Sequence, residues 1–300
     1  MKFLLIGDPH IMERRPICRV DEFMEAQEQK WEFIRDMSKY VDYTLCPGDL
    51  FEDWDASKEL VNRSFDLLPD NMIVIPGNHD LPRHNIRKIH KSAMGILWKA
   101  GKIRVLIREP LEFSGKNRVT IHPFPWRTSP TSTDYEGVNI ALIHYMTWIG
   151  KDPYPGIKEI SAGRLLRRMK GFDLILSGHN HERFVVDDNK GHRLVNPGSL
   201  MRTEATQISH KPCVYFWDSL TKELTKKPIP IEKGVVTRVH LERREEKDER
   251  MNVVIRRMKE DFEVGLSFKK NMEEYIRTHR IRKGVLDKIY FSMGGTSERD

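Results

Sequence analysis

Five short stretches place a carboxylate, an amide or an imidazole directly after an apolar run. Gly7-Asp8-Pro9-His10 follows "KFLLI", Gly48-Asp49 follows "YTLC", and Gly77-Asn78-His79-Asp80 follows "MIVI". His144 follows "NIALI", and Gly178-His179-Asn180-His181 follows "DLILS". Each fragment alone has an ordinary reading. Asp8 and His10 could cap the next segment, Asp49 could be an N-cap, and His144 could be a satisfied core histidine. The joint occurrence argues otherwise. In open α/β sheets the carboxyl ends of the strands form the crevice where ligands bind. Three aspartates, two asparagines and five histidines gathered at such an edge would be poor packing, because buried polar groups are costly without partners. A pair of divalent cations would partner nearly all of them. Mixed imidazole and carboxylate ligation suits manganese, iron or zinc better than calcium.

The flanking sequence supplies elements that can hold these groups. Strands at 2–6, 43–46 and 72–75 alternate with helical stretches at 20–40, 57–68 and 85–100, the rhythm of βαβ units and a mostly parallel sheet. On the helix at 20–40, Phe23, Gln27, Trp31, Ile34 and Met37 share one face, one of them polar. After residue 103, strands follow one another at "IRVLI", "RVTIHPF", "NIALIH", "DLILSG", "FVVDD", "HRLVNPG" and "CVYFWD", with one helix near 161–170. That run suggests a second sheet rich in antiparallel pairs. "PIPIEKG" at 228–234 reads as a boundary, so the expected domains are 1–231 and 232–300. Beyond it, "VVTRVHLE" reads as a strand, 246–291 as charged helix and "GGTSERD" as a frayed tail.

Composition bounds the function. The 300 residues are 39% hydrophobic and 32% charged, enough for a real core under a well-solvated surface. No apolar stretch approaches the roughly 20 residues of a membrane span, and "MKFLLIGDPH" does not read as a signal peptide. Cys18, Cys46 and Cys213 form no disulfide or zinc framework. A cytoplasmic protein without a membrane partner is expected. The net charge of +7 favours an anionic partner, nucleic acid first, although a mildly basic enzyme with a small substrate would look the same.

"GDPH", "GDLFE", "GNHD", the histidine of "LIHY" and "GHNH" resemble, in order and spacing, the five motifs of calcineurin-like metallophosphoesterases. The resemblance spans residues 7–181 and implies an α/β fold, a four-layer α/β/β/α sandwich, here with a small helical C-terminal appendage. It also implies two divalent metals. One would take Asp8, His10, Asp49 and His181; the other Asp49, Asn78, His144 and His179, with Asp49 bridging. His79 would act on the leaving group rather than on metal, and Asp80 would orient His79 through its other ring nitrogen.

Within that superfamily, "GDLFE", "GNHD", "GHNH" and "NPGSL" are more similar to SbcD-type recombination and repair nucleases than to serine/threonine protein phosphatases. The short length is similar to bacteriophage recombination nuclease subunits, which implies a prokaryotic cell or a phage-infected host. Larger members carry a histidine, linked to substrate handling, where this chain has Glu52. The nuclease resemblance implies a homodimer through the region of 57–68 and 85–100. It also implies C-terminal helices that grip an SMC-like ATPase of the SbcC kind. Apolar residues such as Val254, Ile255, Met258, Phe262, Leu266, Phe268, Met272, Tyr275 and Val285 recur there at helical steps. Such helices could equally fold back on the nuclease domain.

Two loops carry aromatic and basic side chains suited to stacking bases and contacting phosphates, including Trp126, Arg127, Tyr145 and Trp148. Arg83 and His84 could reach a flanking phosphate. For each loop aromatic taken separately, plain packing is the better reading, and for Arg83 and His84 a solvated loop is equally plausible. The expected function is therefore a two-metal DNA exonuclease, or endonuclease, acting in recombination, repair or replication. A small-molecule phosphodiesterase or phosphatase on the same fold is the alternative. A non-catalytic scaffold ranks last, since every ligand position and His79 are filled.

Overall fold

Strand β1 (Lys2–Leu5) shows how the layers arise. A strand sends alternate side chains to opposite faces, so a strand apolar at each successive position is buried on both. Phe3 and Leu5 enter a cluster with Leu142, Leu174 and Trp217, while Leu4 and Ile6 enter another with Trp31, Ile34 and Leu60. The first cluster lies between two sheets. The second lies beneath α1 (Phe23–Ser38), α2 (Lys58–Leu67) and α3 (Ala93–Lys99). A third cluster joins the other sheet to α4 (Ala162–Arg168) through Ile143, Ile175, Leu165 and Phe172. The result is helix, sheet, sheet, helix. The computed structural model describes residues 1–292 apart from 116–117, 189 and 267, and omits the side chains of 256–269 and 292.

The first sheet adds β2 (Tyr43–Cys46), β3 (Met72–Val74), β4 (Arg104–Val105), β11 (Cys213–Asp218) and β12 (Leu224–Pro228), in the order β12-β11-β1-β2-β3-β4. Its β1 to β4 pairings are parallel, and β11 pairs antiparallel with β1 and β12. The second sheet holds β5 (Leu111–Phe113), β6 (Val119–Phe124), β7 (Val138–His144), β8 (Leu174–Gly178), β9 (Phe184–Asp187) and β10 (Arg193–Asn196), in the order β5-β6-β7-β8-β10-β9.

Several sequence expectations are corrected. The second sheet is not rich in antiparallel pairs. β6, β7, β8 and β10 run parallel, with antiparallel pairing only at the two edges. A parallel pair needs a crossover of a dozen or so residues, usually helical. Here 125–137 makes the β6 to β7 crossover without a helix, so the strands look consecutive in sequence. "CVYFWD" belongs to the first sheet, beside β1. The helix expected at 85–100 is split. Residues 86–91 form a 3-10 turn, and Ser92, at φ −101° and ψ 163°, leaves helical geometry to cap α3 by accepting from Gly95 N. "VVTRVHLE" forms only an isolated bridge at Val236 before α5 (Val239–Leu266) begins. Gln27, the polar residue on the α1 face, is buried because its amide donates to Met12 O and accepts from Met12 N.

The chain divides into two compact units, Met1–Thr237 and Arg238–Asp300. The second consists of α5, α6 (Phe268–Thr278) and α7 (Lys283–Ser292). Val253, Val254, Ile255, Tyr275, Val285 and Tyr290 are exposed on it. The side chains of Met258, Phe262, Leu266 and Phe268, and the tail "GGTSERD", lie outside the described residues. No helix among the described residues is long and apolar enough to cross a membrane.

Leu142, fully buried between the sheets on the strand that ends in His144, tests the layered core. Leu142→Ala should lower unfolding free energy by about 2–5 kcal/mol, the range for a buried leucine replaced by alanine. Urea unfolding followed by circular dichroism would measure it; a loss below about 1 kcal/mol would contradict a close-packed inter-sheet layer.

Candidate metal centre

Because β1, β2 and β3 are parallel neighbours in one sheet, and β7 and β8 in the other, the segments after them share a single edge. There the side chains fall into groups whose ligand atoms lie within 4.8 Å of one another. One is Asp8, His10 and His181, and another is Asp49, His144 and His179. A third grouping, His10, Asp49 and His79, connects them.

Each carboxylate uses one oxygen to fix itself and offers the other. Asp8 Oδ2 accepts from His179 N at 2.7 Å, while buried Asp8 Oδ1 has no protein partner among the described residues. Asp49 Oδ1 accepts from His79 N at 2.9 Å, while Asp49 Oδ2 lies 3.2 Å from His144 Nε2 and 3.7 Å from His10 Nε2. The imidazoles are arranged alike. His144 Nδ1 donates to Pro47 O at 2.9 Å, which turns Nε2 toward Asp49 and toward Asn78 Oδ1 at 3.0 Å. His10 Nε2 and His181 Nε2 face each other at 3.0 Å. His10 Nδ1 lies 2.8 Å from Glu52 Oε2, off the ideal hydrogen-bond line. A ring nitrogen held by an outer acceptor, with the other turned into a cluster of oxygen and nitrogen atoms, is how metal-ligating histidine is oriented. An orphaned, buried carboxylate oxygen beside two opposed ring nitrogens is what a cation would satisfy. The residues present fit the metals that the motif resemblance implies.

The backbone is bent to achieve this. His10, Asp49 and His179 have φ of 47°, 49° and 75°, in the left-handed region that non-glycine residues avoid. Such conformations cost about 1–3 kcal/mol each and persist where the surroundings over-determine them, often at functional sites. Two glycines admit the carboxylates. A Cβ on Gly178 would sit 2.3 Å from Asp8 Oδ1, and one on Gly77 2.1 Å from Asp49 Oδ1.

Electrostatics divides the cluster. Burial pushes the Asp8 carboxyl up to about 7. Burial works against the Asp49 charge too, but adjacent His144 outweighs it and holds that carboxyl below the usual carboxylate range. His144 is raised to about 9 because the attraction of Asp49 exceeds the burial penalty. Burial, together with neighbouring imidazoles, lowers His179 and His181 to about 4, so both are neutral near pH 7, the form in which imidazole binds a metal.

The expected companions fare unevenly. Asp80 does not orient His79. Its fully buried carboxylate accepts from Gly77 N at 2.9 Å and Phe51 N at 3.2 Å, which ties the turn after β3 to the segment after β2. His79 Nδ1 instead faces Glu52 O at 2.6 Å. Glu52 thus touches both His10 and His79, a role that no sequence pattern marked. Trp126 and His84 are at the site. The Trp126 ring lies 5.0 Å from that of His179 and 6.4 Å from that of His84. Arg83 and Arg127 are exposed nearby in sequence. Trp148 is buried, and half-buried Tyr145 packs against the α4 cluster, so neither is free to stack on a base.

Residues 1–183 match the family model described as calcineurin-like phosphoesterase. Among solved structures, the chain is similar to a metallophosphoesterase from Sphaerobacter thermophilus. The two are 14% identical, with 77% of this chain and 90% of that chain covered and a TM-score of 0.38. No curated protein matches the sequence.

Two substitutions test the arrangement. Asp49→Ala should leave at most one of two manganese equivalents on gel-filtered protein measured by plasma mass spectrometry; retention of both would exclude a shared carboxylate. Glu52→Ala should weaken manganese binding about 10–100-fold in calorimetric titration, as loss of an outer-shell partner typically does. Glu52→Gln, which keeps an oxygen near His10, should recover most of it.

Proposed function

We propose, from the premise that the chain belongs to the calcineurin-like phosphoesterase family, that it is a two-metal nuclease that cleaves phosphodiester bonds in DNA. Phosphoester hydrolysis with divalent metals follows from the family. The observation that carries the two-metal form is the presence of two Asp/His groups, Asp8-His10-His181 and Asp49-His144-His179, with Asp49 Oδ2 3.7 Å from His10 Nε2 between them. Asp8, His10, Asp49 and His181 would hold one ion, and Asp49, Asn78, His144 and His179 the other, manganese being the ion suited to both. Such metals acidify a nucleophilic water and offset charge on the phosphoryl oxygens. His79 Nδ1, facing Glu52 O, would keep its proton there, leaving Nε2 to deliver a proton to the departing oxygen. Asp80 holds the turn that carries His79.

A DNA substrate is supported by the surface next to the centre. Half-buried Trp126 lies beside His179, with His84 next to it and exposed Arg83 and Arg127 on the same loops. An aromatic face with cations is how single strands are stacked and their phosphates contacted. The net charge of +7 suits such a polymer. One observation favours a small-molecule phosphodiesterase instead. A cavity of about 460 Å³ beside His181, lined by Arg183, Gln207, His210 and Lys211, is of a size that takes a drug-sized ligand. Hydrolysis of linear, hairpin and circular DNA, set against a cyclic nucleotide, separates the two. Turnover of the cyclic nucleotide alone would refute the nuclease.

The proposal extends to partners. The second unit exposes Val253, Val254, Ile255, Tyr275 and Val285 on helices, a surface suited to docking on an SMC-like ATPase of the SbcC kind. A second copy would meet Ile96 and Trp98. These remain exposed on α3, whereas Leu60, Val61, Ile89, Ala93 and Leu97 are used inside the chain's own core.

His79→Ala should retain both metals while DNA hydrolysis falls by roughly 10²–10⁴, the usual worth of a general acid or base. A nitrophenyl phosphodiester, whose leaving group needs less help, should lose far less. Equal losses on both substrates would refute the leaving-group role. Deleting 246–300 should leave metal-dependent cleavage of short DNA intact and abolish co-purification with the ATPase. Unchanged ATPase affinity would refute the docking role.

A further inference from the structure

Away from the metal centre, three cationic side chains converge in the interior of the first unit. Arg19 and Arg202 are each 4% exposed and Lys30 is 6% exposed. They line a cavity of about 70 Å³ together with Asp21, Ile229 and Glu232. Arg19 is fully engaged. It pairs with Asp21 through Nε and Nη2, donates to Arg202 O from Nη1 at 3.1 Å, and lies over the Phe23 ring. The other two are not. Arg202 Nη2 donates to Glu232 O at 2.8 Å, but among the described residues its buried Nε has no partner. Lys30 Nζ donates to Leu200 O at 2.9 Å, one bond from a group with three donors. Among the described residues, Asp21 is the carboxylate that ion-pairs with the cluster, through Arg19, so Lys30 and Arg202 face the cavity without a carboxylate partner.

Burying a charge is unfavourable unless it is paired and hydrogen-bonded. Burial, together with Arg19 and Arg202, pushes Lys30 down to about 7, the response expected of a cation that lacks a counter-charge. What is missing is negative charge with several acceptor oxygens, near the free donors of Lys30 and Arg202. The cavity exceeds the ~10–15 Å³ needed for a single water and falls well below the roughly 300–1,000 Å³ of pockets that enclose drug-sized ligands.

We propose that this cavity, bounded by Arg19, Lys30 and Arg202, is a binding site for one small tetrahedral oxyanion of the phosphate class, taken up as the free ion. Arginine and lysine donors together suit phosphate oxygens, and a bound anion would favour the charged form of Lys30. None of the three cations belongs to the metal-binding groups, although Lys30 bonds to Leu200, whose N–H donates to Asp8 O.

Calorimetric titration of the manganese-loaded full-length protein with inorganic phosphate, at constant ionic strength, tests this. Phosphate that binds at the metals is common to wild type and variant, so the comparison isolates the new site. Wild type should take up one more equivalent than Lys30→Met. The variant should hydrolyse a nitrophenyl phosphodiester at the wild-type rate in phosphate-free buffer. Equal stoichiometry in the two chains overturns the proposal. If Lys30→Met does not unfold cooperatively, Arg202→Gln replaces it, with the same outcomes. Thymidine 5′-monophosphate should leave the Lys30-dependent equivalent unfilled; if it fills that site, the assignment to a free ion is wrong.

Discussion

The crevice is organised by a demand for positive charge at Asp49. Its carboxylate is taken out of water and kept ionised, with one oxygen pinned by the His79 amide and the other aimed at His144 and His10. A buried anion must be neutralised on the spot or give up its charge. In the protein alone, the His144 proton answers that demand; the proposed metals would answer it instead and leave the imidazole neutral for ligation. His179 and His181, both neutral near pH 7, are ready for that role without losing a proton first.

The fold serves this demand by bringing five parallel strand ends to one edge and bending the chain there. Three non-glycine residues in left-handed geometry are the visible cost, and the close-packed layers beneath provide the rigidity that holds them. Asp80, buried with both oxygens on backbone amides, is part of the same support, since it fastens together the two turns that carry Asp49 and His79.

Much of this was legible in the sequence, for identifiable reasons. Strand ends were visible because apolar runs stop abruptly at glycine and a polar residue, and the partition of His179 and His181 between two groups followed from the motif resemblance. The sheets were read less well. Parallel pairing in the second sheet depends on a crossover with no helical periodicity to reveal it, and β12 has the polar face of an exposed edge strand. At the site, the partners of Asp80 and His79 escaped because they are backbone groups, which leave no mark on residue type. The sequence leaves each loop aromatic's placement open, since such a residue looks the same whether it faces solvent or core; Trp148 and Tyr145 pack inward, while Trp126 lies at the site.

The sharing of one carboxylate has a thermodynamic consequence. If two ions share Asp49, as proposed, occupancy of either side would alter the other. The first ion would draw off part of the carboxylate's charge, which weakens the pull on the second, and would also immobilise the side chain, which spares the second that ordering cost. These effects oppose each other, and their balance would be a coupling free energy that each ion feels equally. The affinity of either ion would then depend on whether the other is bound, by an amount set by that balance.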